Sequence, residues 1–104
     1  MSIIFSRKID LSNYDPSELL IGNTNGGQLT VQVDGAATLA VKGKHIQSGT
    51  YVDLGVINAT TFDVTSSIDN PGIYNVDISD VDNIELELTN DDENSEIFIK
   101  VVGD

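Results

Sequence analysis

The chain has 104 residues, no cysteine and no tryptophan, and its seventeen Asp and Glu against five Lys and Arg leave a formal net charge of −12. That length fits one domain over residues 1–104 with a single core that no disulfide or thiolate metal site can staple. The acidic balance argues against binding nucleic acid, which needs cations to replace condensed counterions, and against anionic membrane surfaces for the same reason.

From Met1 to Pro16 there is no apolar run of the kind that makes a secretory signal, so synthesis and folding in a cytoplasm are expected. No window approaches the length that spans a bilayer. The first strand is expected over 2–9. Next comes "DPSE", where Asp15 suits a helix N-cap, Pro16 the first helical position, and Glu18 the return bond of a capping box. This predicts one helical or 3₁₀ turn near residues 16–21, with a plain turn into a short strand as the alternative. A loop through "GNTNGG" follows, its turn chemistry at Asn25-Gly26-Gly27.

Beyond it the apolar residues recur at every second position, the period of a half-buried strand and not of a helix. Leu29, Val31 and Val33 alternate with Gln28, Thr30 and Gln32, and Ile84, Leu86 and Leu88 alternate with Glu85, Glu87 and Thr89. Further strands are expected at 36–42, 50–57, 60–65, 73–79 and 95–102. Asp34-Gly35, Ser48-Gly49, Asn70-Pro71-Gly72 and the acidic stretch 90–94 supply the turns between them. About eight short strands at this spacing predict an all-β fold, a single antiparallel sandwich of immunoglobulin-like or jelly-roll-like type. No internal repeat, linker or low-complexity segment interrupts the pattern.

The run Asn70-Pro71-Gly72-Ile73-Tyr74-Asn75-Val76 resembles the tyrosine corner of immunoglobulin-like sandwiches, with Gly72 and Tyr74 matching, Asn70 in place of the acid and Val76 in place of the cysteine. The resemblance covers seven residues and implies that the Tyr74 hydroxyl bonds back to the main chain at a strand corner. Tyr74 is therefore expected to be a structural fastener. In the last strand, Phe98 faces opposite to Ile97 and Ile99, so that strand is expected to be covered on both sides, most simply by another copy of the chain.

Residues that could carry chemistry are sparse. His45 is the single histidine, flanked by Lys42 and Lys44, and reads as an exposed loop residue, not as a general base or zinc ligand. No nucleophile elbow surrounds Ser48, and Gly26-Gly27 lacks the lysine and helix of a phosphate loop. The carboxylates Asp80, Asp82 and Glu85, with Asn83, and then Asp91, Asp92, Glu93 and Glu96, could in principle hold calcium. The first group lacks a glycine turn, however, and the second is a dense charge run of the kind found on solvated hairpin tips. No catalytic, cofactor-binding or metal residue is therefore assigned, no cofactor is expected, and an enzyme is the least favoured class.

Together, the acidic, cysteine-free chain and "TYVDLGVI" followed by "TTFDVTSSIDNPGIYNVDISDVDNIELELT" resemble the small β-sandwich accessory proteins of tailed-phage virions: head decoration proteins, head fibres and tail-associated modules. The likeness spans roughly residues 28 to 102 and lies in strand rhythm and composition. It implies a non-enzymatic protein made in the host cytoplasm and carried on the virion. Such a protein assembles with its own copies, often as a trimer, and with capsid or tail proteins. The alternative from a different class is a carbohydrate-binding module contacting a surface glycan through exposed aromatic rings. Phe62, Tyr74 and Phe98 fall in strand patterns and are expected in the core, which leaves Tyr14 and Tyr51 for a sugar.

Overall fold

In the computed structural model, which describes residues 2–22, 27–45 and 47–103, the alternating segments become ten strands in two antiparallel sheets. They are β1 (Ser2–Asp10), β2 (Leu20–Ile21), β3 (Gln28–Asp34), β4 (Thr38–Lys44), β5 (Val52–Asp53), β6 (Val56–Asn58), β7 (Val64–Thr65), β8 (Gly72–Asp77), β9 (Asn83–Asn90) and β10 (Glu96–Gly103). One sheet has six strands in the order β1-β10-β3-β8-β6-β7, and the other has four in the order β2-β9-β4-β5. Asn25 and Gly26 of the expected turn lie outside the described residues.

Period-two placement explains the core. Leu29, Val31 and Val33 of β3 and Ile97, Ile99 and Val101 of β10 point inward from the large sheet, and Leu39, Val41, Ile84 and Leu86 meet them from the small one. Each of these is almost fully removed from water, and burial on this scale is the main favourable term holding the sheets together.

The helical turn falls where the capping residues put it. A 3₁₀ turn spans Pro16–Leu19; the Ser17 N–H donates to the Asp15 carboxylate at 3.0 Å and the Asp15 N–H donates to Glu18 at 3.1 Å. It leads straight into β2, so the turn and the short strand weighed as alternatives are both present.

Two expected strands are redrawn. The segment 50–57 is not one strand: β5 pairs with β4 in the small sheet, β6 pairs with β8 in the large one, and the chain crosses between sheets at Leu54-Gly55. A glycine inside an alternating run marks such a break, because it packs nothing and permits a bend. The segment 60–65 is mostly turn. The Asn58 side-chain oxygen accepts the Thr60 and Thr61 N–H groups at 2.8 and 3.1 Å, and Phe62 adopts a left-handed backbone at φ 63°, leaving only Val64–Thr65 extended. Phe62 is consequently 75% exposed and no part of the core, contrary to its place in the alternation.

Tyr74 does what the corner motif implies. Its ring is buried and its hydroxyl donates to the Asn70 carbonyl at 2.8 Å, tying β8 to the turn before it. Gly72 makes the turn possible with φ 153°, a backbone that L side chains rarely adopt. Tyr74→Phe keeps the packing and deletes the bond, so chemical denaturation should show a loss of about 1 kcal/mol. An unchanged midpoint would show that the hydroxyl fastens nothing.

Three Asp-x-Ser turns recur at strand and turn ends. Asp10, Asp15 and Asp77 each accept the N–H of the serine two residues on, and Asp10 and Asp77 also accept its hydroxyl at 2.7 Å. Hydrogen bonds to the charged form lower all three carboxyls below their ordinary value of 3.8, and the serine bonds are the largest cause. With the folded pKa below the unfolded one, this contribution to stability is complete above about pH 4 and is lost as pH falls through the folded values. A carbon-detected NMR titration should place Asp77 below 3.8; titration at or above it would contradict the bonded turn.

Candidate interaction surface

The outward positions of the six-stranded sheet form rows that the register fixes. Asp10, Glu96 and Asp34 stand side by side at one end. The next row runs Lys8, Phe98, Gln32 and Ile73, and the third Ser6, Lys100, Thr30, Asn75, Ile57 and Val64. The face is thus graded. Carboxylates line one end, two lysines lie beside them over β1 and β10, and aliphatic side chains gather over β8, β6 and β7. Lys8, Phe98, Ile73 and Lys100 help line an open depression of about 560 Å³.

Phe98 sits half-buried on this face with the Lys8 ammonium 5.9 Å from its ring centre. The last strand is therefore covered by the chain's own core on the side of Ile97 and Ile99, and on the other side Phe98 looks outward. In the middle of the face, Gln28 and Thr30 donate to the Asn75 side-chain oxygen at 3.0 and 3.1 Å, holding a polar strip between the lysines and the aliphatic end.

The five basic residues are placed unequally. Arg7 turns inward, donates to the Glu18 carbonyl at 2.8 Å and stacks on Phe5 at 4.6 Å. Lys8 pairs with Glu96 at 2.8 Å, and that hydrogen bond, followed by the carboxylate's charge, raises its pKa. On the small sheet Lys42 pairs with Glu87 at 3.0 Å, and Lys44 lies 4.7 Å from the Tyr51 ring centre. Lys100 has no carboxylate within ion-pair distance among the described residues and is exposed.

The residues singled out in the sequence do not converge on one site. His45 is exposed, and its Nδ1 accepts the Gln47 N–H at 3.2 Å. Asp92 is used internally, accepting the Ser95 hydroxyl at 3.0 Å. Asp80, Asp82, Asn83 and Glu85 lie at the start of β9 and in the turn before it, and Asp91, Asp92 and Glu93 in the turn after it. Among the described residues no three His, Asp or Glu side chains cluster as metal ligands. The Tyr14 hydroxyl donates to Asp91 at 3.3 Å, and burial, then the Asp91 charge, raise its pKa. What alternation alone could not find is the aliphatic group Ile57, Val64 and Ile73: it forms because β8 lies between β3 and β6, a strand order without local signal.

No family model matches the chain, and no curated protein matches it in sequence. Two solved structures share the fold. The SPBc2 prophage-derived protein YomS superposes with a TM-score of 0.69 at 17% identity, over 97% of this chain and 96% of its own. The PBSX exported protein XepA superposes with a TM-score of 0.73 at 14% identity, over 93% of this chain and 37% of its own, so this chain spans little more than a third of that protein. At such identities the likeness shows the two-sheet fold, and both neighbours are prophage products.

Proposed function

We propose that this chain is a phage-derived, non-enzymatic interaction protein of the virion accessory kind, which works by packing against copies of itself and against a particle surface. The observation that carries the reading is the graded outer face of the six-stranded sheet. Ile73 is 44% exposed in the depression that Lys8 and Lys100 help line, and Val64 is 68% exposed farther along the face, in a molecule whose charge is otherwise overwhelmingly negative. Apolar area of this kind on a small domain is characteristic of a surface that meets another protein. The prophage origin of both fold neighbours supports the phage assignment, and the name of one as an exported protein is compatible with release from the cell on a particle. The sugar-binding alternative rests on Tyr14 and Tyr51, of which one is tied to Asp91 and the other is covered by Lys44.

Particles purified from a lysate of the host that carries the gene provide the test. Mass spectrometry of the particle band should find this protein at a constant ratio to the major shell protein through successive gradients. Recovery only in the soluble fraction would contradict a virion role.

A further inference from the structure

Resting on that reading, we infer that the outer face of the six-stranded sheet is the site of self-association, and that a second copy packs on it face to face about a two-fold axis running along the row of Phe98 and Ile73. A two-fold interface must be self-complementary, and this one can be checked row by row. An axis along the central row exchanges the rows on either side of it. Lys100 of one copy then stands opposite Glu96 of the other, and Thr30 opposite Asp34, while Lys8, Phe98, Gln32 and Ile73 each meet their own symmetry mate; Lys8, on the edge strand, is neutralised by its own Glu96 at 2.8 Å, so that Glu96 lies between the two lysines. The alternative axis, parallel to the strands through the middle of the sheet, would set Lys100 over Ile57 and Ser6 over Val64 and bury a charge without a partner, which is strongly unfavourable. The Lys100–Glu96 pairing therefore favours a second copy in the first orientation over this alternative. It also gives a role to Lys100, which like Lys44 has no ion-pair partner among the described residues, and to the carboxylate row two residues along each strand from the aromatic one.

The size of the face sets the strength. Six strands about 4.8 Å apart and three outward rows about 6.8 Å apart give roughly 300–600 Å² of flat area. Side-chain relief brings this toward, and not beyond, the roughly 800 Å² that each partner contributes to a standard interface. Two bodies of charge −12 also repel one another. The association is accordingly weak, with a dissociation constant in the micromolar range or above, and strengthens as salt screens the overall repulsion.

Sedimentation equilibrium of the full chain tests this with K100E, E96K, the K100E/E96K double variant and I73E, circular dichroism confirming that each is folded. The off-axis Lys100–Glu96 contact occurs twice in a two-fold dimer, so K100E should weaken association by about tenfold to a hundredfold, and the double variant should recover most of the loss. I73E, which buries a charge near the axis, should abolish the dimer by a route independent of the ion pair. A wild type that associates equally well with K100E and I73E would overturn this interface and leave self-assembly standing. A strictly monomeric wild type would overturn both.

Discussion

Gly35→Ala is expected to cost about 3–5 kcal/mol, enough to lower the melting midpoint by roughly 12 °C or more for a domain of this size. Two effects add. Gly35 holds φ 124° in the turn between β3 and β4, a conformation that strains any residue with a Cβ by about 1–2 kcal/mol. A Cβ built there would also lie against Ser95 Oγ and 2.8 Å from Ser95 Cα, which is main chain and not the movable end of a side chain. Ser95 cannot step back cheaply. It is fully buried, its N–H donates to the Asp92 carbonyl and its hydroxyl to the Asp92 carboxylate, both at 3.0 Å, and its carbonyl accepts the Leu11 N–H at 3.1 Å. Retreat would strip bonds from buried groups at about 1–3 kcal/mol each. Thermal unfolding followed by circular dichroism reads the result, and a midpoint within about 3 °C of wild type, worth well under 1 kcal/mol, would show that this corner yields easily.

Leu39→Ala should cost about 3–4 kcal/mol in chemical denaturation, within the range for truncating a fully buried leucine. Leu39 is at 0% exposure, stands beside Leu88 of β9, and exchanges main-chain hydrogen bonds with Ile68 at 3.0 and 2.7 Å where the chain returns to the small sheet after β7. The pair closes the free side of β4 that β5 leaves open, so the cavity would form where the 66–71 connection between β7 and β8 lies against β4. Leu20 supplies the control. It is half exposed on β2, and Leu20→Ala should cost well below the cavity figure, about 1 kcal/mol or less. Equal losses at the two positions would mean that burial is not what holds the sheets together.

Much of the fold was legible because a half-buried strand writes its facing directly into the sequence. Gln28 to Asp34, Asn83 to Asn90 and, as far as Val101, the strand from Glu96 place their inward residues where the alternation puts them, while Val102 is buried out of phase. The capping box at Asp15 and Glu18 and the corner at Tyr74 were legible for a different reason, since both are local hydrogen-bond patterns with fixed spacing. Phe62 shows where the period misleads. It falls on phase in Thr60 to Thr65, yet the Asn58 side chain competes for the backbone N–H groups and closes a turn, a signal present in the sequence but weaker than the alternation. Gly55 likewise marks the crossing between sheets, although nothing local says that the two halves of that run join different sheets. The interaction surface was legible only in part. Phe98 could be seen to oppose Ile97 and Ile99, but Ile57, Val64 and Ile73 become one group only through long-range pairing.

Sedimentation velocity of the wild-type protein, taken from micromolar to near-millimolar concentration at about 0.15 M salt, where the Debye length is about 8 Å, bears most directly on an apolar and lysine-bearing sheet face that meets protein. The weight-average sedimentation coefficient should climb with concentration toward that of a dimer or a larger assembly. A single boundary at the monomer value across the whole range would contradict it.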